Sequence, residues 1–217
     1  MMNPLLMQAA KLLSAADFSW AVCGGFALEL FLGRELRPYG DIDLCAFEAD
    51  RSKIPAFMQK SGWQVYEFRG QGKVRLLEPG DASDPGRNLM CVLPGCSLVE
   101  FFPSEEEGLL YHQFYHTGLK ELNYLEFLFT PSAAPNTYLF SANPPVSLPS
   151  EKALLRGTEG FPFLAPELAL LYKALRPDEG PAASDYQAVY PRLSPLQKQW
   201  FQLQLKKLYP AGHPWME

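Results

Sequence analysis

The hydrophobic positions of the first 70 residues predict helices and strands in alternation. Residues 4–16 carry an apolar stripe at helical spacing, formed by Leu5, Leu6, Ala9, Leu12 and Leu13. The apolar run 18–22 is short and stops at a glycine, which predicts a buried strand. The same spacing rules predict a helix that begins after Gly25 and stops before Pro38, a strand over 41–47, a helix over 52–61 and a strand over 63–68.

The rest of the chain divides into a strand-rich middle and a helical end. Strands are predicted over 89–93, 98–102 and 124–129. Residues 131–149 are rich in Pro, Ser and Asn, which indicates an exposed connection between domains or a loop over the sheet. The pattern is helical from about residue 165 onwards. The predicted fold class is therefore α+β (mixed α/β), with a mixed sheet and flanking helices in residues 1–148 and a small helical domain in residues 149–217.

Two short motifs between residues 24 and 43 carry most of the candidate chemistry. Gly24 and Gly25 allow a tight turn and a close approach to the backbone, and the helix that follows offers an N-terminus that favours phosphate. Asp41 and Asp43 share one face of the next strand, with Cα atoms about 6.5 Å apart. Because like charges this close repel, a divalent cation is a natural partner, and Mg²⁺ prefers one or two carboxylates together with phosphate oxygens. Arg37 lies between the two motifs and is a candidate phosphate ligand.

These motifs resemble the nucleotidyltransferase superfamily, and within it the small aminoglycoside nucleotidyltransferase-like proteins. The matching residues are Gly24-Gly25, Gly33-Arg34, Arg37 and Asp41-Ile42-Asp43-Leu44, and near the C-terminus residues 163–174 and 212–215. Many members of the superfamily have Gly-Ser where this chain has two glycines. The resemblance covers both ends of the chain and is more specific for the fold than for the substrate.

The resemblance implies a nucleotidyltransferase that uses Mg²⁺ and a nucleoside triphosphate, with ATP as the expected donor. A third carboxylate in such enzymes binds metal or accepts the proton of the acceptor hydroxyl. Glu126 and Glu100 both lie in apolar strand-like runs, and Glu126 has the position before the linker that the family pattern requires. Family members often have Asp at this position. Lys173, at the end of the family's helical segment, is the expected second phosphate ligand.

Composition narrows the classes of partner. The 217 residues carry a net charge of −5, which argues against a nucleic-acid-binding protein because such proteins present a basic face. The four cysteines lack zinc-site spacing and are expected to be free thiols in a reducing compartment. No secretory signal and no uninterrupted apolar segment of membrane-spanning length is present, so we expect a cytoplasmic protein without a membrane partner.

Three functions remain compatible with the sequence. The first is transfer of a nucleoside monophosphate to a hydroxyl of a small molecule, for which the resemblance implies an aminoglycoside. The second is the same transfer to a protein partner, as in toxin–antitoxin pairs, and the third is nucleotide binding without catalysis. The presence of Asp41 and Asp43 argues against the third.

Overall fold

The computed structural model describes residues 3–115, 118, 120–131, 136–143, 145–157 and 160–217. The helices are α1 (Pro4–Leu13), α2 (Gly24–Leu32), α3 (Lys53–Lys60), α4 (Ser150–Ala153), α5 (Pro166–Lys173), α6 (Ala182–Val189) and α7 (Pro195–Leu208). The strands are β1 (Trp20–Val22), β2 (Asp43–Phe47), β3 (Gln64–Gly70), β4 (Lys73–Leu77), β5 (Leu89–Val92), β6 (Val99–Pro103), β7 (Leu110–Phe114), β8 (Tyr124–Thr130), β9 (Thr137–Leu139), β10 (Ser147–Pro149), β11 (Leu154–Arg156) and β12 (Pro162–Leu164).

The chain forms two compact units. The first, called here the sheet unit, consists of Met1–Trp20 and Arg37–Ser132. The second, called here the helical unit, consists of Ala21–Leu36 and Ala133–Glu217. The segment that carries α2 therefore packs with the C-terminal residues, whereas its neighbours in sequence on both sides belong to the sheet unit. The predicted division into residues 1–148 and 149–217 stays a prediction.

The sheet unit is built on a mixed sheet with the strand order β2-β8-β5-β3-β4-β7-β6. The pairing of β2 with β8 is parallel, and every other pairing in this order is antiparallel. Helices α1 and α3 flank the sheet, and Phe18, which follows α1, contacts Phe57 of α3 and Phe127 of β8 at ring-centroid distances of 5.4 and 6.1 Å. This architecture confirms the predicted mixed sheet with flanking helices.

The helical unit combines α2 and α4–α7 with five short strands. Strand β1 pairs with β12 in parallel through Val22 and Phe163, and β12 pairs with β11 in antiparallel. Strands β9 and β10 form a separate antiparallel pair. Helix α2 packs against α5 and α6, and α5 packs against α7. The unit buries an apolar core that includes Leu28, Leu168, Phe201 and Leu205.

Most predicted elements are confirmed, with differences at their ends and in the short strands. Helix α1 stops at Leu13, where Ser14 takes the C-cap position, so the predicted extension to residue 16 is wrong. Residues 131–149, predicted to be a connection, contain β9 and β10, and residues 154–164 add β11 and β12 ahead of the predicted helices. These four strands have three residues each, too few to show an alternating pattern. Among the described residues, no helix combines the length and the hydropathy needed to cross a membrane.

A buried ion cluster stabilises the face of the sheet that α1 and α3 cover. Glu67 of β3 has no exposed surface, and its Oε1 lies 2.8 Å from Nη2 of Arg69 and 3.2 Å from Nη2 of Arg75. Its Oε2 accepts a hydrogen bond from the backbone N–H of Asp84. Arg69 also binds Oδ2 of Asp84 at 2.6 Å, and Arg75 donates to the carbonyl of Ala82 at 2.8 Å, so two arginines and one loop meet at this buried carboxylate.

Substitution of Glu67 should destabilise the sheet unit strongly. Glu67→Gln removes the negative charge and leaves two arginines next to a neutral buried side chain, so we expect a loss of about 3 kcal/mol or more in the free energy of unfolding. Glu100→Gln, at an exposed position of the same sheet, should change it by no more than about 0.5 kcal/mol. Urea unfolding of both variants measures the difference, and equal midpoints would contradict the structural role given to Glu67.

Candidate active site

The carboxylates of the candidate active site lie on two adjacent parallel strands. Asp43 is the first residue of β2, and it stands opposite Glu126 of β8 in the register of the sheet. The backbone N–H of Glu126 donates to the carbonyl of Ile42 at 3.0 Å, which fixes this register. Asp41 lies two residues before Asp43, close enough for its charge to act on both Glu126 and Tyr124. The sheet unit thus brings Asp41, Asp43 and Glu126 together.

The electrostatics of Glu126 show how close these groups lie. Burial raises the pKa of the Glu126 carboxyl, a hydrogen bond from Tyr124 lowers it, and the negative charge of Asp41 raises it, which together give a pKa of about 7. A carboxyl group with a pKa near 7 is suited to accept a proton at neutral pH.

Tyr124 is a member of the site that the sequence interpretation missed. Its hydroxyl donates to Oε1 of Glu126, and the ring is buried. Burial and the charges of Glu126, Asp41 and Asp43 all raise the pKa of the phenol, so the hydroxyl stays protonated and acts as a donor. The sequence could have indicated this contact. Residues 124–129 were predicted to be a strand, and residues two apart on a strand, such as Tyr124 and Glu126, share one face.

The competing carboxylate, Glu100, lies elsewhere in the sheet unit. It is exposed on β6 and accepts a hydrogen bond from the Tyr115 hydroxyl at 2.7 Å. Glu100 alternates with Val99 and Phe101 along β6, so its side chain lies on the opposite face of that strand from the residues that pack with Tyr66 and Tyr124. This placement favours Glu126 over Glu100 as the third carboxylate.

Gly24 and Gly25 form the beginning of α2 in the helical unit. Gly24 has a φ of 60°, a left-handed conformation in which a side chain would be strained. Gly33 ends the helix with a φ of 66°, and its N–H donates to the carbonyl of Glu29 at 2.8 Å. The carboxylate of Glu29 accepts from the Leu36 N–H at 2.6 Å, which ties the following loop to the helix. The predicted glycine-initiated helix is therefore present.

Arg37 is half-buried in the sheet unit, and its side chain contacts Tyr39. The guanidinium carbon lies 4.3 Å from the centre of the Tyr39 ring, and Nη1 donates to the Tyr39 hydroxyl at 3.4 Å. A guanidinium group placed over an aromatic ring keeps its charge and is held in one orientation. The guanidinium group of Arg37 can therefore still bind a phosphate.

Lys173 forms an ion pair inside the helical unit. Its Nζ lies 2.8 Å from Oδ2 of Asp185, whose side chain is 2% exposed, while the lysine side chain is 18% exposed. Asp185 comes from the first turns of α6, and Lys173 is the last residue of α5. The ion pair therefore joins two helices and orients the ammonium group, which is a structural role in addition to the one expected from the sequence.

The carboxylates of the site fit a cation that takes its remaining ligands from a bound substrate. Within the described part of the chain, no group of three or more His, Cys, Asp or Glu side chains is arranged to hold a metal ion. Asp41 and Asp43 provide two carboxylates close to a third. The charge of Asp41 raises the pKa of Glu126, and the charges of both aspartates raise the pKa of Tyr124. Two carboxylates and the oxygens of a bound phosphate are the ligands that Mg²⁺ usually takes.

Comparison with known proteins supports the resemblance for the N-terminal part of the chain. The model of the aminoglycoside-2''-adenylyltransferase family matches residues 5–79, about a third of the chain, which contain the glycine-initiated helix and both aspartates. The fold is that of a nucleotidyltransferase. The match confirms the resemblance to the aminoglycoside nucleotidyltransferase-like proteins and with it the predicted class of enzyme. No curated protein matches the chain by sequence.

Three solved structures share the fold over most of their length. The solution structure of the antibiotic-resistance factor ANT(2'')-Ia aligns with a TM-score of 0.55 and 14% identity, covering 96% of this chain and 92% of that protein. The crystal structure of ANT(2'')-Ia with adenylyl-2''-tobramycin gives 0.53 and 15%, covering 95% and 99%. The lincosamide adenylyltransferase LnuA with bound lincomycin gives 0.53 and 12%, covering 88% and 97%. At these identities, the similarity establishes the fold.

The raised pKa of Glu126 predicts a pH-dependent stability of the metal-free protein. The pKa changes from 4.5 in the unfolded chain to about 7 in the folded one, so the folded state binds the proton more tightly. The resulting stabilisation is complete below pH 4.5 and is lost as the pH rises through 7, by about 3 kcal/mol in total. Relative to the wild type, Glu126→Gln should therefore gain about 3 kcal/mol between pH 4.5 and pH 8.

Chemical unfolding in the presence of a chelator, repeated across this pH range, measures the effect. Tyr124→Phe is the matched variant, because it removes the hydrogen bond that lowers the pKa of Glu126 and should make the loss of stability with pH larger than in the wild type. Parallel stability curves for the wild type and Glu126→Gln would show that Glu126 has an ordinary pKa.

Proposed function

We propose that this protein transfers the adenylyl group of ATP to a hydroxyl of a small molecule, with Mg²⁺ bound at Asp41 and Asp43. The observation that carries the proposal is the parallel register of β2 and β8, which sets Asp43 beside Glu126. The family match and the fold support adenylyl transfer as the reaction. The cytoplasmic location stays a prediction.

The candidate residues would have separate roles in the reaction. Asp41 and Asp43 would hold the magnesium ion, which supplies charge neutralisation at the α-phosphate when bound. Glu126 would accept the proton of the acceptor hydroxyl, a role for which a pKa of about 7 is suited. Tyr124 would hold the Glu126 carboxylate in position through its hydrogen bond. The hydroxyl oxygen would attack the α-phosphorus, and pyrophosphate would leave.

The remaining candidate residues would bind the phosphates of the nucleotide. The backbone at Gly24 and Gly25 lies at the N-terminus of a nine-residue helix, which favours negative charge. The resemblance also assigns phosphate binding to Arg37 and Lys173, whose positive charges suit that role. These assignments follow the resemblance and the family match, which includes Gly24, Gly25 and Arg37.

The acceptor belongs, in this proposal, to the hydroxyl-bearing antibiotics. The matching family model describes an aminoglycoside adenylyltransferase, and one structural neighbour binds an adenylylated aminoglycoside while another binds a lincosamide. An aminoglycoside is the acceptor expected from the sequence.

A thermal-shift titration tests the donor half of the proposal. ATP, GTP, CTP and UTP are each added with and without Mg²⁺, and a ligand that binds only the native state raises the melting temperature. We expect a magnesium-dependent shift that is largest for ATP. A shift with ATP that does not depend on magnesium would remove the metal from the proposal, and the absence of a shift with all four nucleotides would count against nucleotide transfer.

Substitution of Asp41 tests the metal site directly. Asp41→Asn removes one carboxylate charge at nearly constant volume, so transfer should fall by about 100-fold or more. The melting temperature of the ligand-free protein should not fall, because the substitution also removes a charge that disfavours the ionised form of Glu126. Asp17→Asn, at an exposed position of the same unit, is the control and should leave transfer unchanged. The rate of pyrophosphate release measures transfer by both variants. Normal turnover of Asp41→Asn would exclude Asp41 as a ligand of the metal ion.

A pair of variants separates the structural role of Lys173 from its proposed role in phosphate binding. Lys173→Gln leaves Asp185 charged and buried, so the free energy of unfolding should fall by about 3 kcal/mol. The double variant Lys173→Gln/Asp185→Asn should recover most of this loss because no buried charge remains. If Lys173 binds phosphate, the double variant still has a raised KM for ATP; a KM restored to the wild-type value would assign Lys173 to structure alone.

A further inference from the structure

Residues 209–217, called here the C-terminal segment, pack back onto the end of α5 beside Lys173. Ala174 follows Lys173 and takes the C-cap position of that helix. The carbonyl of Ala174 accepts a hydrogen bond from the Tyr209 hydroxyl at 3.0 Å and another from Nε2 of His213 at 2.9 Å. Two side chains of the C-terminal segment therefore hold the carbonyl one residue after the proposed phosphate ligand.

His213 is held in one orientation because both of its ring nitrogens form hydrogen bonds. Nδ1 accepts from the backbone N–H of Trp215 at 3.1 Å. Since a ring nitrogen that accepts carries no proton, the ring proton lies on Nε2, which donates to Ala174. The Tyr209 ring packs beside the imidazole with centroids 4.7 Å apart. The C-terminal segment thus presents a fixed donor to the end of α5.

The same segment also contacts α6, the helix that carries the acidic partner of Lys173. The Trp215 ring stacks on the ring of Tyr186 with centroids 4.4 Å apart, and Tyr186 directly follows Asp185. The carbonyl of Trp215 accepts from Nε2 of Gln202 at 2.9 Å and from the Tyr186 hydroxyl at 3.3 Å. The C-terminal segment therefore contacts both helices within one residue of Lys173 and Asp185.

The ion pair of Lys173 and Asp185 joins the two helices that the segment binds. Nζ of Lys173 lies 2.8 Å from Oδ2 of Asp185, and the lysine side chain is 18% exposed. An ammonium group has three donors, so Lys173 can donate to Asp185 and to a phosphate at the same time. Helix α2, whose N-terminus is the proposed site of the phosphates, packs against α5 and α6 within the same unit.

We propose that His213 and Tyr209 are positioning residues for the nucleotide, which act through Lys173. This inference rests on the proposed function and adds two residues to it. A lysine side chain is flexible and loses rotamer freedom when it binds a phosphate. A fixed helix end and a fixed Asp185 restrict the lysine before the nucleotide arrives, so less of the binding free energy is lost.

The affinity for ATP tests the proposal on the full chain. The Kd for ATP is measured by isothermal titration calorimetry with Mg²⁺ and without an acceptor, below the melting temperatures of all variants. His213→Leu removes the donor to Ala174 and should raise the Kd by about tenfold, the order of one charge-assisted hydrogen bond. His213→Gln keeps an N–H donor near the place of Nε2 and should stay within about twofold of the wild type. Lys207→Gln is the control, because it removes an exposed positive charge from the same unit, and should leave the Kd unchanged.

A double-mutant cycle separates positioning from stability. His213→Leu is added to Lys173→Gln/Asp185→Asn, a background in which this ion pair is gone. A residue that acts only through Lys173 has nothing left to position there, so the tenfold loss should shrink to about twofold or less. If His213→Leu does not fold, Tyr209→Phe takes its place. It removes one of the two bonds to the Ala174 carbonyl and should raise the Kd by about threefold in the wild-type background alone.

Each outcome distinguishes this role from the proposed reaction. A lower melting temperature with an unchanged Kd in His213→Leu would make the C-terminal segment purely structural and overturn the proposal. An equal loss of affinity in both backgrounds, or a wild-type Kd in Lys173→Gln/Asp185→Asn, overturns it as well and leaves the rest of the donor site in place. If the wild type binds no ATP with Mg²⁺, the proposed function is refuted and the positioning role falls with it.

Discussion

The parallel pairing of β2 and β8 is the constraint on which the candidate site depends. One backbone hydrogen bond, from Glu126 to Ile42, belongs to the ladder that holds Asp43 opposite Glu126. A shift of this register by one residue would turn every side chain of β8 to the other face and separate the carboxylates. The flanking strands and helices bury the rest of β8, so a slip would also expose Leu125 and Phe127, which have no accessible surface. The apolar core therefore holds the polar site in place.

Because the sheet is pleated, the carboxylates of the candidate site and the ion cluster at Glu67 lie on opposite faces, where they do not interfere with each other. Alternate residues carry Tyr124 and Glu126 to one face and the Glu67 cluster to the other. On the second face, arginines neutralise the buried carboxylate. On the first face, the carboxylates instead face one another and Tyr124, and the pKa of Glu126 rises. A permanent arginine partner there would lower that pKa and occupy the place that a metal ion and phosphates would take.

The sequence predicted the parts of the site that depend on local pattern. Two glycines before an apolar helix, and Asp41 and Asp43 on one strand face, can be recognised within 20 residues. The partnership of Asp43 with Glu126 joins positions more than 80 residues apart, and no local rule determines which strands pair. The four three-residue strands were missed because tertiary pairing, and not their own pattern, makes them strands. The ion pair of Lys173 with Asp185 depends on how α5 meets α6, which helical periodicity alone does not determine.

The arrangement of Glu126 links stability to ligand binding. Burial and the charge of Asp41 disfavour its ionised form, so the site opposes folding when it is fully ionised and without a cation. A cation at Asp41 and Asp43 would remove part of that repulsion, and the native state would gain the corresponding free energy. The same groups that destabilise the ionised site would therefore favour a positively charged ligand. At Glu67, permanent arginines neutralise the carboxylate, which stabilises the fold but removes any gain from binding a cation. This difference is the physical reason that the Glu67 cluster can stabilise the sheet while the Glu126 cluster can bind a ligand.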